Sequence, residues 1–238
     1  MNRVLERFYE ELDEDGTLLA DTLGAGRDDH ALEELVLELH EKLQSHAYPI
    51  QWLTENEAQW QTLRDGTGEF NDTDYAKTLL TSVARKAAHW ECLLGLAVEQ
   101  MSGCPPLERS YADRFDRAAE CFASLRLAAE SGDWDETAKE AQAVDFPRLG
   151  TVRGDDGGDL KARMKKLWDG CKEETKKLRV QMDVTGAEGM EDLSAVAPAM
   201  CALLRLTAVF GEAYRREKLR QNAADFSDQE HLALKILV

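Results

Sequence analysis

Two stretches of the chain carry apolar residues at helical intervals, and they run long enough to dictate a fold class. Leu79, Val83, Ala87, Trp90, Leu94, Ala97 and Met101 follow at steps of 4, 4, 3, 4, 3 and 4. Tyr111, Phe115, Ala118, Phe122, Leu125 and Ala129 follow at 4, 3, 4, 3 and 4. Spacing near 3.5 residues keeps one stripe on one side of a helix, whereas a strand would need strict alternation. Ser102-Gly103-Cys104-Pro105-Pro106 breaks the pattern between them. A glycine and two prolines cannot continue a helix, so the spacing predicts an antiparallel hairpin of two long helices.

The rest of the chain reads the same way. Val4, Phe8 and Leu12 line a short first helix, and Leu32, Leu35, Val36, Leu39 and Leu43 line a second. Gly16, Gly24 and Gly26 with Asp28 and Asp29 read as a polar connection between them. Pro49 opens a third helix carrying Trp52, Leu53 and Trp60, with a capping box at Thr54 and Glu57 as the alternative start. Asp72 is the expected N-cap of the first long helix, and Ser131-Gly132-Asp133 ends the second. A short helix then runs to about Val144. Phe146 is extended because Pro147 follows it. Residues 150–159 are the strongest loop signal.

A second hairpin is expected beyond that loop. Leu160, Met164, Leu167, Cys171, Leu178 and Met182 line its first helix. Gly186 and Gly189 mark the turn. Leu193, Val196, Met200, Leu203, Thr207, Phe210 and Tyr214 line the return. Ser227 and Glu230 form a capping box for a last helix, whose end at Val238 without a C-cap suggests an incomplete chain. The sequence therefore predicts an all-α fold of about eight helices with two long antiparallel hairpins. The other arrangement open at this point is two loosely joined helical units meeting near residues 145–159, where proteolysis would cut first.

Composition narrows the function. The chain has 238 residues and a formal net charge of −17, which opposes nonspecific binding to nucleic acid. No apolar run approaches the roughly 18 residues of a membrane helix, and no signal peptide opens the chain. Five cysteines, Cys92, Cys104, Cys121, Cys171 and Cys201, are widely spaced with no CxxC pair. They read as free thiols of a reducing compartment, four of them in apolar helical patterns. None of His30, His40, His46, His89 and His231 forms HExxH or an i, i+4 pair. Asp155-Asp156-Gly157-Gly158-Asp159 resembles part of a calcium loop, but Lys166 stands twelfth from Asp155, where a bidentate Glu is needed. No G-x-x-x-x-G-K-[ST] phosphate loop and no G-x-S-x-G elbow occurs. The residues form no catalytic constellation.

Charge is uneven, and one segment stands out. Residues 1–60 hold 15 acids and 4 bases, net −11. Residues 161–179 instead carry Lys161, Arg163, Lys165, Lys166, Lys172, Lys176, Lys177 and Arg179 against Asp169, Glu173 and Glu174, net +5. A solvated face with i, i+4 pairs such as Glu173–Lys177 explains this as readily as contact with nucleic-acid phosphates does. Arg148 lies shortly before it, and no aromatic series suited to stacking single-stranded bases interleaves it.

Several motifs then point one way. Phe210, Tyr214 and Lys218 followed by Asp225-Phe226-Ser227-Asp228-Gln229-Glu230-His231 resemble the F-x-x-x-Y-x-x-x-K and D-F-x-D-L-E-H segments of the AddA-type helicase-nuclease family, UvrD-like superfamily 1 helicases. Gln229 departs from the family's leucine. Gly26-Arg27-Asp28-Asp29, the P-x-x-W-L signature of Pro49, Trp52 and Leu53, and Asp145-Phe146-Pro147-Arg148-Leu149 resemble further family motifs in the same order. The resemblance implies a fragment, the 1B insertion of the first motor domain, over residues 1–222, with residues 223–238 beginning the return into the 1A motor domain. Asp225, Phe226, Asp228 and Glu230 are its motif residues.

By the same resemblance the fragment holds no cofactor, while its parent binds ATP and magnesium and pairs with an AddB-like second subunit. The parent is cytoplasmic, makes no membrane contact and works in double-strand-break repair. Duplex DNA is the expected partner of Arg148, Lys161, Lys165, Lys166, Lys172, Lys176, Lys177 and Arg179. A shallow salt dependence would follow, with a log–log slope of roughly −3 for three or four phosphate contacts. Changing Lys165, Lys172 and Lys176 to Glu would weaken duplex binding. The alternative is a free-standing acidic helical module that binds protein partners.

Overall fold

The computed structural model describes residues 1–23, 29–152 and 157–237. Among these the chain is all-α, with ten helices, one 3₁₀ turn and no strand. The helices are α1 (Asn2–Glu10), α2 (Glu14–Thr22), α3 (His30–Gln44), α4 (Pro49–Arg64), α5 (Asp74–Met101), α6 (Pro105–Ser131), α7 (Trp134–Ala143), α8 (Gly158–Gln181), α9 (Gly186–Arg220) and α10 (Phe226–Leu237). They divide into two compact units, Met1–Gly68 with Met190–Val238, and Glu69–Gly189. The division falls at these two crossings and not near residues 145–159, which lie inside the second unit. Gly24, Gly26, Asp28, Asp155, Asp156 and Val238, with the loop and end readings made on them, lie outside the described residues.

The second unit is built on the expected hairpin of α5 and α6. All six residues of the α6 stripe are buried. On α5 the buried stripe is Ala76, Leu80, Val83, Ala87, Leu94, Ala97 and Met101, so Leu79 and Trp90 sit at its edge. Thr73, not Asp72, caps α5, its hydroxyl accepting from the Ala76 amide at 3.1 Å. Gly132 ends α6 in the left-handed region at φ +82°, which glycine adopts without a Cβ penalty. Asp133 then caps α7 by accepting from the Glu136 amide at 3.0 Å. Trp134 donates its indole N–H to the Val184 carbonyl at 2.7 Å and meets the Phe70 ring edge-on at 5.0 Å.

Gly189, on the first turn of α9, closes this corner. A Cβ there would lie 2.6 Å from the Phe70 ring. Gly189→Leu is expected to displace Phe70 and destabilise the unit by about 1–3 kcal/mol, the usual cost of overpacking. A urea midpoint unchanged from that of the unmodified chain would contradict this.

The first unit contains the helix that sequence spacing misses. Gly16 is not in a linker but inside α2, whose N-cap Asp13 accepts from the Gly16 amide at 2.7 Å. Leu12 lies between α1 and α2. A Cβ on Gly16 would come within 3.0 Å of Leu12 Cδ1 and 3.2 Å of Phe8 Cε2, so the glycine permits a close approach. Asp15, buried on the same helix, is held by Arg64 at 2.6 Å and Arg205 at 3.1 Å. Val4, Leu5, Leu19, Leu32 and Val36 pack with Ala199, Ala202, Leu203, Leu206 and Phe210 of α9. The return helix thus buries a face rotated from the expected one, and Val196 is exposed. An 18-residue window of α9 reaches a mean hydropathy of 1.8 and is half buried. By length and composition it could cross a membrane, contrary to the sequence reading. Here it is the central helix of the unit. Thr54 sits inside α4, donating to the Ile50 carbonyl at 3.0 Å, so Pro49 and not a capping box opens that helix.

Candidate nucleic-acid interface

The basic helix α8 buries Met164, Trp168, Cys171, Thr175 and Leu178, with Met182 just beyond its end. These follow at 4, 3, 4, 3 and 4, a cleaner stripe than the one read through Leu160 and Leu167, which are half-buried. That reading passes over Trp168. It is the largest fully buried side chain among the described residues, stacked on Phe115 at 4.8 Å and met edge-on by Phe146 at 5.1 Å.

The extended segment 145–149 brings Phe146 to that ring. Pro147 keeps it out of helix, and Arg114 of α6 fixes it by donating from Nε to the Arg148 carbonyl at 2.9 Å. Gly150 lies against α6 so closely that a Cβ would stand 2.9 Å from the Ser110 carbonyl oxygen. Segment and helix then frame a notch of about 320 Å³ lined by Phe146, Arg148, Leu149, Lys165, Trp168, Asp169 and Lys172. Lys172 Nζ sits 5.9 Å from the centre of the Trp168 ring, within cation–π range.

The structure sorts the eight candidate cations into different roles. Arg148, Lys165 and Lys172 share the notch, and none forms an ion pair among the described residues. Lys166 lines a separate apolar groove of about 440 Å³ with Trp90, Leu96 and Arg163. Lys161 donates to the Val152 carbonyl at 3.0 Å. Lys176 pairs with Glu173 at 2.7 Å and Lys177 with Glu174 at 3.5 Å. Glu174 also pairs with Lys86 of α5 at 3.1 Å. Arg179 is committed to the end of α7, donating to the carbonyls of Gln142 at 3.2 Å, of Ala141 and of Val144. A cation satisfying the last carbonyls of a helix is a structural cap.

The motif residues build a second, compact arrangement in the first unit. Phe210, Tyr214 and Lys218 recur at i, i+4 and i+8 and so share one face of α9. The two rings stack at 6.0 Å, and Lys218 Nζ lies 4.7 Å from the Tyr214 ring centre. Lys218 then reaches both Asp225 at 2.9 Å and Asp228 at 2.7 Å. Those two carboxylates cap α10 reciprocally: Asp228 Oδ2 accepts from the Asp225 amide at 3.0 Å and Asp225 Oδ1 from the Asp228 amide at 2.9 Å. The capping box is therefore Asp225 and Asp228, not Ser227 and Glu230. The spacing of Tyr214, Lys218, Asp225 and Asp228 is the geometry of one helix-to-helix corner. Phe226 is 84% exposed and Glu230 is exposed, so neither belongs to it.

His40 completes this corner, edge-on to Phe210 at 5.0 Å and to Tyr214 at 5.7 Å. Burial, then the Lys218 charge, hold its pKa below the ordinary 6.5, with Asp225 opposing. The Lys218 hydrogen bond, with the Asp228 amide next, holds Asp225 below 3.8. Both groups bind protons less readily folded than unfolded, so stability rises with pH. His40 contributes its full share above about pH 6.5 and loses it as pH falls through the window down to its lower folded value. The melting midpoint of the chain is expected to drop between about pH 7 and pH 5, and to drop less in His40→Phe. Parallel pH profiles for the two proteins would contradict this assignment.

Nothing at either place is built for bond-making. Among the described residues no group of three or more His, Cys, Asp and Glu side chains could hold a metal. Burial pushes the Cys171 thiol up to about 12, which makes it inert, and raises that of Cys201 too. Cys104 and Cys121 are half-buried, while Cys92 is exposed despite its apolar pattern.

No protein-family model matches the chain. Individual relatives do. It is 30% identical over 240 residues to the AddA-type chain of the ATP-dependent helicase/nuclease of Acetivibrio thermocellus, covering 100% of this chain and 19% of that protein. The corresponding helicase/nuclease chain of Desulforudis audaxviator is 34% identical over 245 residues, covering 98% and 19%. That of Heliobacterium modesticaldum is 29% identical over 263 residues, covering 100% and 18%. The chain spans about a fifth of the length of the curated relatives it matches. An end-to-end match of this kind, repeated across bacterial relatives and joined to the motif corner, places the chain in the AddA-type ATP-dependent helicase/nuclease family, as the counterpart of one segment of its members.

Proposed function

We propose that the chain is the non-catalytic 1B-type region of an AddA-like ATP-dependent helicase-nuclease that acts on DNA ends in double-strand-break repair and recombination. The observation that carries this reading is its full-length match to only 19% of the relatives' length, over a sequence with no phosphate-binding loop. ATP and magnesium belong to other parts of such a parent, as does nuclease chemistry. An AddB-like second subunit is its partner, and the cytoplasm its location. Residues 1–222 form the 1B-like part and residues 223–238 the start of the return to the motor domain. In keeping with that, α10 buries none of its described side chains and leaves Phe226, Ile236 and Leu237 more than four-fifths exposed.

Duplex DNA contact is assigned to the second unit, through Arg148, Lys165 and Lys172. Lys166 is a flanking contact. Lys161, Lys176, Lys177 and Arg179, which have partners within the chain, are secondary.

The purified chain is expected to hydrolyse no ATP. Hydrolysis that a point substitution within residues 1–238 abolishes would refute the non-catalytic assignment. The second reading, an acidic helical module that binds protein, is favoured by the exposed apolar side of α10 and the net charge of −17. The reading frame decides between them. Continuation into a D-E-x-Q-type motif supports the helicase, and a stop codon directly after Val238 supports the module.

A further inference from the structure

We infer that the notch between segment 145–149 and α8 is a seat for a single backbone phosphate of nucleic acid, a fixed anchor point and not one part of a diffuse basic face. The inference rests on the duplex-contact reading above and adds the site that performs it.

Three features of the notch set it apart from the rest of the basic helix. First, it is a concavity of about 320 Å³ whose cations come from two separate pieces of chain, Arg148 from the extended segment and Lys165 and Lys172 from α8. Both walls are fixed. The Arg114–Arg148 bond and the Gly150–Ser110 approach hold the segment to α6, and the Phe115–Trp168 stack holds α8 to α6. Charges held on rigid walls do not need to be ordered when a ligand arrives. Second, Asp169 is the one carboxylate lining the notch among the described residues, so its lining carries an excess of two positive charges in a chain of net −17. The lysines outside it, Lys176 and Lys177, are already paired with Glu173 and Glu174. Third, the floor is Trp168, whose indole Nε1 is the buried side-chain polar atom without a hydrogen-bond partner among the described residues. Buried donors are nearly always satisfied, so an unsatisfied one marks a place where the environment changes on binding.

The chemistry favours phosphate over carboxylate. Three cations converging on one small space match the several free oxygens of a phosphate, with an Arg fork available for two of them. No base-reading element accompanies them, so the seat positions nucleic acid without reading its sequence.

A shared ligand has a signature that a diffuse face lacks. Side chains that hold one phosphate are coupled, whereas separate phosphate contacts add independently. Duplex affinity of the 238-residue chain is therefore measured for Lys165→Gln, Lys172→Gln and the double variant, with Lys176→Gln and Lys177→Gln as comparators. The two notch variants are expected to weaken a short blunt duplex equally for all sequences, with a coupling of at least about threefold in the cycle. The comparators are expected to stay within about twofold of the unmodified chain, the range of surface substitutions. The Trp168 indole N–H resonance, assigned through Trp168→Phe or by backbone connectivity, is expected to move with duplex, and inorganic phosphate is expected to move it in the same direction.

Additive losses, shared equally with Lys176 and Lys177, would overturn the seat while leaving duplex contact standing. Unchanged binding in every variant would overturn both. An indole resonance moved by a polyglutamate peptide and not by duplex would overturn the seat in favour of an acidic protein ligand.

Discussion

Replacing Arg148, Lys165 and Lys172 together by glutamate is expected to weaken duplex binding at least about a hundredfold at low salt. Each side chain that contacts a phosphate contributes a charge-assisted interaction of roughly 1.5–3 kcal/mol, and glutamate replaces attraction with repulsion. Even with strong coupling among three neighbours, the loss exceeds the roughly 2.7 kcal/mol that a hundredfold change represents. The residual binding should depend little on salt, because counterion release falls with the number of neutralised phosphates. Helix stability is not the cause of the loss. Arg148 and Lys165 are exposed, neither they nor Lys172 form ion pairs among the described residues, and Lys and Glu have similar helix propensities. Thermal unfolding should therefore shift only slightly, chiefly through the lost Lys172–Trp168 contact of about 0.5–1 kcal/mol. A triple variant that binds duplex as the unmodified chain does across a salt titration removes the notch from any DNA role.

These three residues differ from the three that spacing alone selects, for a physical reason. By spacing, Lys165, Lys172 and Lys176 all flank the α8 stripe. Lys176 is in fact occupied by Glu173, three residues away, while Arg148 arrives from a segment that is distant along the chain. Helical periodicity reports which side of a helix faces the core. It carries no information on which exposed cations are already paired, or on what a loop brings beside them. Arg179 shows the same limit: its use as a cap for α7 depends on tertiary placement.

Where a residue's neighbours lie within one turn, the sequence is a good guide. The α6 stripe, the breaks at residues 102–106 and 131–133, and the all-α class all follow from local rules of spacing, glycine and proline. The misses are also local in origin. Gly16 reads as a breaker because helix-interior glycine is unfavourable, yet its missing Cβ is what admits Leu12 and Phe8. Met164, Trp168, Cys171 and Thr175 keep the 4, 3, 4 rhythm, but taking Thr175 as polar conceals Trp168. Thr175 is buried because its hydroxyl donates to the Cys171 carbonyl at 3.0 Å within the helix. At the motif corner, Asp225 and Asp228 stand out by resemblance. Their partner Lys218 is legible physically, since Tyr214 and Lys218 are one helical turn apart and end close to where the next helix begins.

Phe115→Ala is expected to be the most destabilising single truncation of the second unit, at about 3–5 kcal/mol. Phe115 is fully buried, and its ring stacks on Trp168 at 4.8 Å and lies parallel to Tyr111 at 6.4 Å. Deleting it removes the transfer energy of a large aromatic and leaves a cavity between two long helices that close-packed neighbours can collapse only in part. The aromatic pair adds roughly 0.5–1.5 kcal/mol beyond area. Against a typical total of about 5–15 kcal/mol for a domain, that is a large share. The same change acts on function, because the freed Trp168 ring is the floor of the notch and the surface beneath Lys172. Phe115→Leu, which keeps most of the volume, should cost less than half as much and preserve duplex affinity. Urea unfolding followed by tryptophan fluorescence checks the ranking, with an unchanged slope showing that the folded state has not loosened. A loss below about 1.5 kcal/mol for Phe115→Ala, or equal losses for alanine and leucine, would mean that the stack does not hold α6 and α8 together.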